Sequence, residues 1–122
     1  MIKTYGLTHI HLAVRNLAVE TAFYERVFGM QQDASRGDAT TVFLRTPGAA
    51  DTITLRLATP EEAVGSRGGL DHFGFRLQDR GDLDAAVAEI VAAGGTVIER
   101  GEHAPGVGYA YVSDPEGFVI EL

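Results

Sequence analysis

The sequence predicts an α+β fold of two tandem βαβββ modules, forming an eight-stranded cupped sheet with the helices outside. Three observations lead there. Leu7-Thr8-His9-Ile10 returns as Leu70-Asp71-His72-Phe73, 63 residues later. Each half closes on a similar triplet, Ile53-Thr54-Leu55 and Ile120-Glu121-Leu122. In each half a single helical stripe follows the first of four strand-like runs. A repeat of this length predicts a pseudo-twofold architecture, here one domain over 1–122 with modules at 1–60 and 69–122.

The elements follow in order. In Leu7–Val14, Ile10, Leu12 and Val14 share one side of the pleat with Thr8, and Leu7, His9, His11 and Ala13 share the other. Asn16 is a good N-cap. Leu17, Tyr24, Val27 and Phe28 fall on one helical stripe, and Gly29 ends it. Strands are expected at Met30–Arg36, Thr41–Thr46 and Thr52–Ala58, with turns at Asp38 and Pro47-Gly48. Polar, glycine-containing Pro60–Gly69 reads as a linker.

The second half repeats the plan. Leu70–Leu77 is a strand. Asp82 caps a helix that buries Leu83, Val87, Ile90 and Val91, and Gly94-Gly95 ends it. Strands follow at Thr96–Glu102, Gly108–Ser113 and Phe118–Leu122, the last two joined by the tight turn Asp114-Pro115-Glu116-Gly117. Gly101–Gly108 reads as a mobile loop carrying His103, or else as a plain glycine-rich hairpin.

Composition excludes several classes. Without cysteine there are no disulfides, zinc knuckles or thiol nucleophiles. The N-terminal stretch has no signal-like apolar run, and no window approaches the ~18 apolar residues of a membrane span. A cytoplasmic protein with no membrane partner is expected. A net charge of −7 argues against nucleic acid and leaves a small-molecule partner. There is no His-Glu-x-x-His, Gly-x-Ser-x-Gly, P-loop or Gly-x-Gly-x-x-Gly.

The pseudo-twofold offers four inward positions: His9, His72, Glu121 and Thr54. Three carry metal-ligand side chains. Two imidazoles and a carboxylate with open coordination sites suit one divalent metal ion, Fe2+ first and Mn2+, Ni2+ or Zn2+ as well. A lone strand histidine is ordinarily a polar surface residue; the symmetry-related placement is what points to metal. Strand alternation puts Val119 and Glu121 on the same face. His11 also faces the cleft, as a general acid or base or as polar lining. Arg56 and Arg76 would suit an anionic substrate, or pair with a carboxylate across the sheet. Tyr109 and Tyr111 alternate on one face, Tyr111 placed to donate to a bound substrate and Tyr109 to bind or pack.

The run His9 to Leu17 with Phe23-Tyr24 and Phe28-Gly29, the run Leu70 to Phe73, and the closing run Tyr111 to Glu121 together resemble the vicinal-oxygen-chelate superfamily of glyoxalases, bleomycin-resistance proteins and extradiol dioxygenases. The resemblance spans the whole chain. It implies His9 and His72 as the histidine ligands and Glu121 as the carboxylate, and Thr54 occupies the fourth ligand position of glyoxalase I. Three ligands resemble extradiol dioxygenases and fosfomycin-resistance transferases. Gly101-Glu102-His103 followed by Tyr111 to Glu121 is similar to the extradiol signature, with Ala110 where a larger apolar residue belongs. Thr54–Thr59 holds no histidine where those enzymes carry their acid–base one. Relatives run on beyond this point, so Glu121 is expected to fray. The implied function is a metal-dependent lyase, isomerase or dioxygenase on a small substrate with vicinal oxygens. The alternatives are a metal-free drug-binding protein, whose acidic balance would suit a cationic ligand, and a degenerate regulatory domain. Homodimerisation is implied, with the cleft expected inside one subunit.

Overall fold

Eight strands and two helices alternate in a computed structural model, which describes residues 1, 3, 7–68, 70–79 and 82–122. The first module runs β1 (Ile10–Val14), α1 (Leu17–Phe28), β2 (Gln31–Gln32), β3 (Thr41–Arg45) and β4 (Ile53–Leu57). The second runs β5 (Phe73–Gly74), α2 (Leu83–Ala92), β6 (Thr96–Ala104), β7 (Val107–Ser113) and β8 (Val119–Glu121). The strands form two four-stranded sheets of the same order, β1-β4-β3-β2 and β5-β8-β7-β6. In each, the first and last strands of the module pair in parallel and the others are antiparallel.

Local chemistry sets the first module's boundaries. The Asn16 side chain accepts the Val19 N–H at 3.1 Å and caps α1. Gly29 ends the helix at φ 61°, a conformation that a side chain would disfavour. Asp33 accepts from the backbone and hydroxyl of Ser35, which turns the chain out of β2 after two residues. The expected strand over Met30–Arg36 is therefore short. The expected strand over Leu70–Leu77 also shrinks, to Phe73–Gly74. It lies at a sheet edge, and its partner among the described residues is the three-residue β8. Asp82 stands at the start of α2 without a side-chain cap. Gly69, the last residue of the expected linker, lies outside the described residues, and Gly65–Arg67 forms a 3-10 turn.

The expected loop over Gly101–Gly108 is corrected. Gly101–Ala104 continues β6 and Val107 begins β7, so His103 sits on a paired strand. The alternative of a plain hairpin holds. The chain end is also tied. Leu122 and Ala110 exchange backbone hydrogen bonds at 2.9 and 3.3 Å, and the Glu121 carbonyl accepts from Phe75 at 2.9 Å. Glu121 does not fray.

One apolar core serves both modules, from Leu12, Val14, Phe23 and Leu55 to Phe73, Ile90, Val112 and Ile120. Phe28 of α1 stacks on Phe75 with centroids 3.9 Å apart. The Asp114–Gly117 turn grips α1 from the other module. Glu116 accepts from the backbone N–H groups of Arg15 and Asn16, at the positive end of the helix. Buried Asp114 accepts the Tyr24 hydroxyl at 2.9 Å. Glu20 is fully buried beside this pair, its carboxyl next to that of Asp114 and to the Glu116 backbone. Burial first and the Asp114 charge second push its pKa up to about 9, so the carboxyl is neutral at pH 7.

Candidate functional site

The two sheets present faces built on the same register. In the first module β1, β4 and β3 align His11, Thr54 and Phe43 in a row. In the second, β5, β8 and β7 align Gly74, Glu121 and Tyr111. Thr54 and Glu121 thus occupy equivalent positions, and His9 and His72 each lie two residues before His11 and Gly74, just ahead of β1 and β5.

On the second face, Glu121 stands between two imidazoles. Its Oε2 is 3.3 Å from His72 Nε2 and its Oε1 is 2.8 Å from His103 Nε2. The other ring nitrogen of His72, Nδ1, lies 2.6 Å from Asp71 Oδ2, which holds the ring with Nε2 toward Glu121. Tyr111 stands edge-on to His72 at 5.1 Å and flanks Glu121 across the sheet. Tyr109 stacks on His103 at 4.3 Å and donates its hydroxyl to Glu99 at 2.5 Å. Gly101 allows this, since a Cβ there would sit 2.7 Å from the Tyr109 hydroxyl oxygen. The hydrogen bond to Glu99 raises the Tyr109 pKa, and desolvation with nearby carboxylates raises that of Tyr111. Both phenols remain proton donors at neutral pH.

On the first face, Thr8, His9, His11, Arg36, Phe43, Thr52 and Thr54 line a hollow of about 310 Å³. His9 Nδ1 is 2.9 Å from the Thr8 hydroxyl. His9 also borders a smaller hollow at the seam between modules, with Phe73 and Gly74 opposite. Burial, then the Arg56 and His9 charges, lower the His11 pKa. Among the described residues no three histidine, aspartate or glutamate side chains are gathered closely enough to hold a metal ion. His72 and Glu121 come together, while His9 stays on the other module's side of the seam. A nitrogen and an oxygen 3.3 Å apart are spaced as two ligands of one ion about 2.0–2.2 Å from each, so this donor pair fits a metal.

For Arg56 the carboxylate-pairing alternative is the one observed. Arg56 is held bidentately by Glu62, at 2.7 and 2.9 Å, because the turn after β4 folds Glu62 back over the strand. Its guanidinium is committed to that pair rather than to an anionic ligand. Arg76 is exposed and borders a separate hollow with Leu83 and the 106–108 turn. The arginine that does line the cleft, Arg36, was not singled out. It lies in a polar loop whose composition reads as solvent-facing; its one signal was position, between two turn-forming aspartates and ahead of the strand carrying Phe43.

These features define a two-module cupped fold with a histidine–carboxylate face. Residues 6–122 match the family model of the Glyoxalase/Bleomycin resistance protein/Dioxygenase superfamily. The chain belongs to that superfamily. It is 33% identical over 132 residues to a catechol-2,3-dioxygenase of Bacillus subtilis (strain 168), covering 100% of this chain and 43% of that protein. The chain thus spans less than half the length of this curated relative. A glyoxalase-related enzyme from Fulvimarina pelagi superposes with TM-score 0.78 at 21% identity, over 97% of this chain and 86% of that one. A fosfomycin resistance protein, FosX, from Listeria monocytogenes superposes with TM-score 0.74 at 22% identity, over 100% and 93%. At these identities the structural likenesses establish the fold.

Proposed function

We propose that the protein is a divalent-metal-dependent enzyme acting, in the cytoplasm and as a homodimer, on a small substrate that chelates the metal through vicinal oxygens. The observation that carries this reading is the His72–Glu121 pair, held by Asp71 and flanked by Tyr111. His9, across the seam, is the proposed third ligand. The ion, one of Fe2+, Mn2+, Ni2+ or Zn2+, would supply Lewis-acid stabilisation of a developing enolate or catecholate. The chain's own residues do the rest. Asp71 fixes the His72 ring. Tyr111, protonated at neutral pH, donates a hydrogen bond to a substrate oxygen. His11, kept neutral by its surroundings, accepts a proton from the substrate. His103 and Tyr109 line the far wall. Kinship to a catechol-2,3-dioxygenase supports dioxygenase chemistry; lyase or isomerase chemistry is the other branch.

A metal-free small-molecule binder is the second reading. It is favoured by the lack of a three-donor cluster among the described residues. Elemental analysis after anaerobic reconstitution with Fe(II), Mn(II), Ni(II) and Zn(II) separates the two. About one ion per chain is expected, lost in both His72→Ala and His9→Ala. Full metal in His9→Ala would remove that ligand, and no metal in the wild type would favour the binder. His11→Ala should keep its metal and lose turnover, and sedimentation should give twice the chain mass.

A further inference from the structure

The hollow on the first face has no carboxylate in its lining among the described residues, in a chain whose net charge is −7. It holds one guanidinium, that of Arg36. The other cleft-side arginine, Arg56, is neutralised by Glu62; Arg100 pairs with Asp84, and Arg15 donates to backbone carbonyls. Among the described residues Arg36 makes no ion pair. Its guanidinium carbon lies 4.0 Å above the Phe43 ring, which orients the group without cancelling its charge. Asp33, whose carboxylate is engaged by Ser35, forms no ion pair with it, although the Arg36 charge helps to lower the Asp33 pKa.

The loop that presents Arg36 is built. Asp38 accepts from the backbone and hydroxyl of Thr40 at 2.7 and 2.8 Å. Gly37 follows at φ 93°, and a Cβ there would stand 2.4 Å from the Thr41 carbonyl oxygen. Across the hollow stand Thr52, His11 and Thr54, the last only 1% exposed. An oriented guanidinium outside any ion pair among the described residues, with hydroxyl and imidazole groups in the same hollow, selects for anions.

We propose that this hollow binds the anionic group of a small organic acid, carboxylate or phosphoryl, with Arg36 as its charge-bearing donor and Phe43 as an apolar wall. That the anion belongs to the substrate rests on the function proposed above; the preference for anions does not. The cationic ligand anticipated from net charge is disfavoured at this face.

The test titrates metal-free, isotope-labelled protein with benzoate, inorganic phosphate and, as control, benzylammonium, following backbone amide shifts. Benzoate or phosphate should move amides of residues 36–43 and 52–54 with a dissociation constant on the order of 1 mM, weakening as ionic strength rises. The tighter of the two names the anion class. Arg36→Ala should weaken binding about tenfold or more, and Arg36→Lys should restore part of it while keeping the wild-type spectrum elsewhere. Absent shifts for both anions, equal response to benzylammonium, or unchanged affinity in Arg36→Ala would each overturn the proposal. Metal content of reconstituted wild-type protein, measured in parallel, keeps the two ideas separable. Anion binding without metal uptake sinks only the enzyme reading, and metal uptake without anion binding sinks only the anion site.

Discussion

The two cleft faces share one register and differ in chemistry. Thr54 and Glu121 hold the same place in their sheets, as do Phe43 and Tyr111, and His11 and Gly74. The second face gathers carboxylates, imidazoles and phenols through ion-pair, hydrogen-bond and ring contacts. The first gathers imidazoles and hydroxyls around a guanidinium, with no carboxylate in the hollow among the described residues. The backbone repeat therefore supplies equivalent positions, and on the two proposals above the side chains would divide the labour, with the carboxylate ligand on one face and the anion-binding guanidinium on the other.

That division can be broken at several places. The largest effect expected, beyond loss of a ligand itself, is in Asp71→Asn. It leaves His72 and Glu121 in place but weakens the hold on Nδ1, and should lower metal affinity about 10–100-fold. Isothermal titration with the preferred metal measures it, and benzoate binding on the first face should not change.

The seam between the faces gives the next effect. Glu20 keeps its proton in the fold up to about pH 9, whereas its ordinary value is 4.5. Between those values the unfolded chain releases a proton that the folded chain retains. Wild-type stability from this group therefore falls as pH rises through that window and levels off above it. Glu20→Gln cannot titrate. Its advantage over wild type should be small at pH 4 and widen steadily toward pH 9 in urea melts. A constant difference across pH would show that Glu20 is ionised in the fold.

The smallest effect is local. In Gly101→Ala the new methyl would displace the Tyr109 ring, costing about 1 kcal/mol and breaking the hydrogen bond to Glu99. Ultraviolet titration should then show the Tyr109 pKa moving down toward the ordinary phenol value. An unmoved titration would mean that the Glu99 contact is not its cause.

Much of this was legible beforehand because it is local or periodic. Asn16 and Gly29 bound α1 as their capping chemistry requires, and the His9/His72 repeat exposed the module boundary. Alternation put His11 and Glu121 on cleft faces. What was not legible depended on partners distant in sequence or on a turn's path. For Arg56 a carboxylate partner was legible as an alternative, but not that the turn after β4 would return Glu62 to supply it. His103 looked mobile, but β6 and β7 pair nearly to the hairpin's tip. Glu20 reads as an ordinary first-turn glutamate of a surface helix, and the Asp114–Gly117 turn of the other module buries it.

The sequence by itself determined the doubled βαβββ plan, the ends of α1 and the repeated placement of His9 and His72. These follow from side-chain period and cap chemistry within a few residues. Only the tertiary structure decided which charges are spent on each other and which remain for a ligand. Ion pairing falls off over a few ångströms, and that separation is set by how the modules and turns pack.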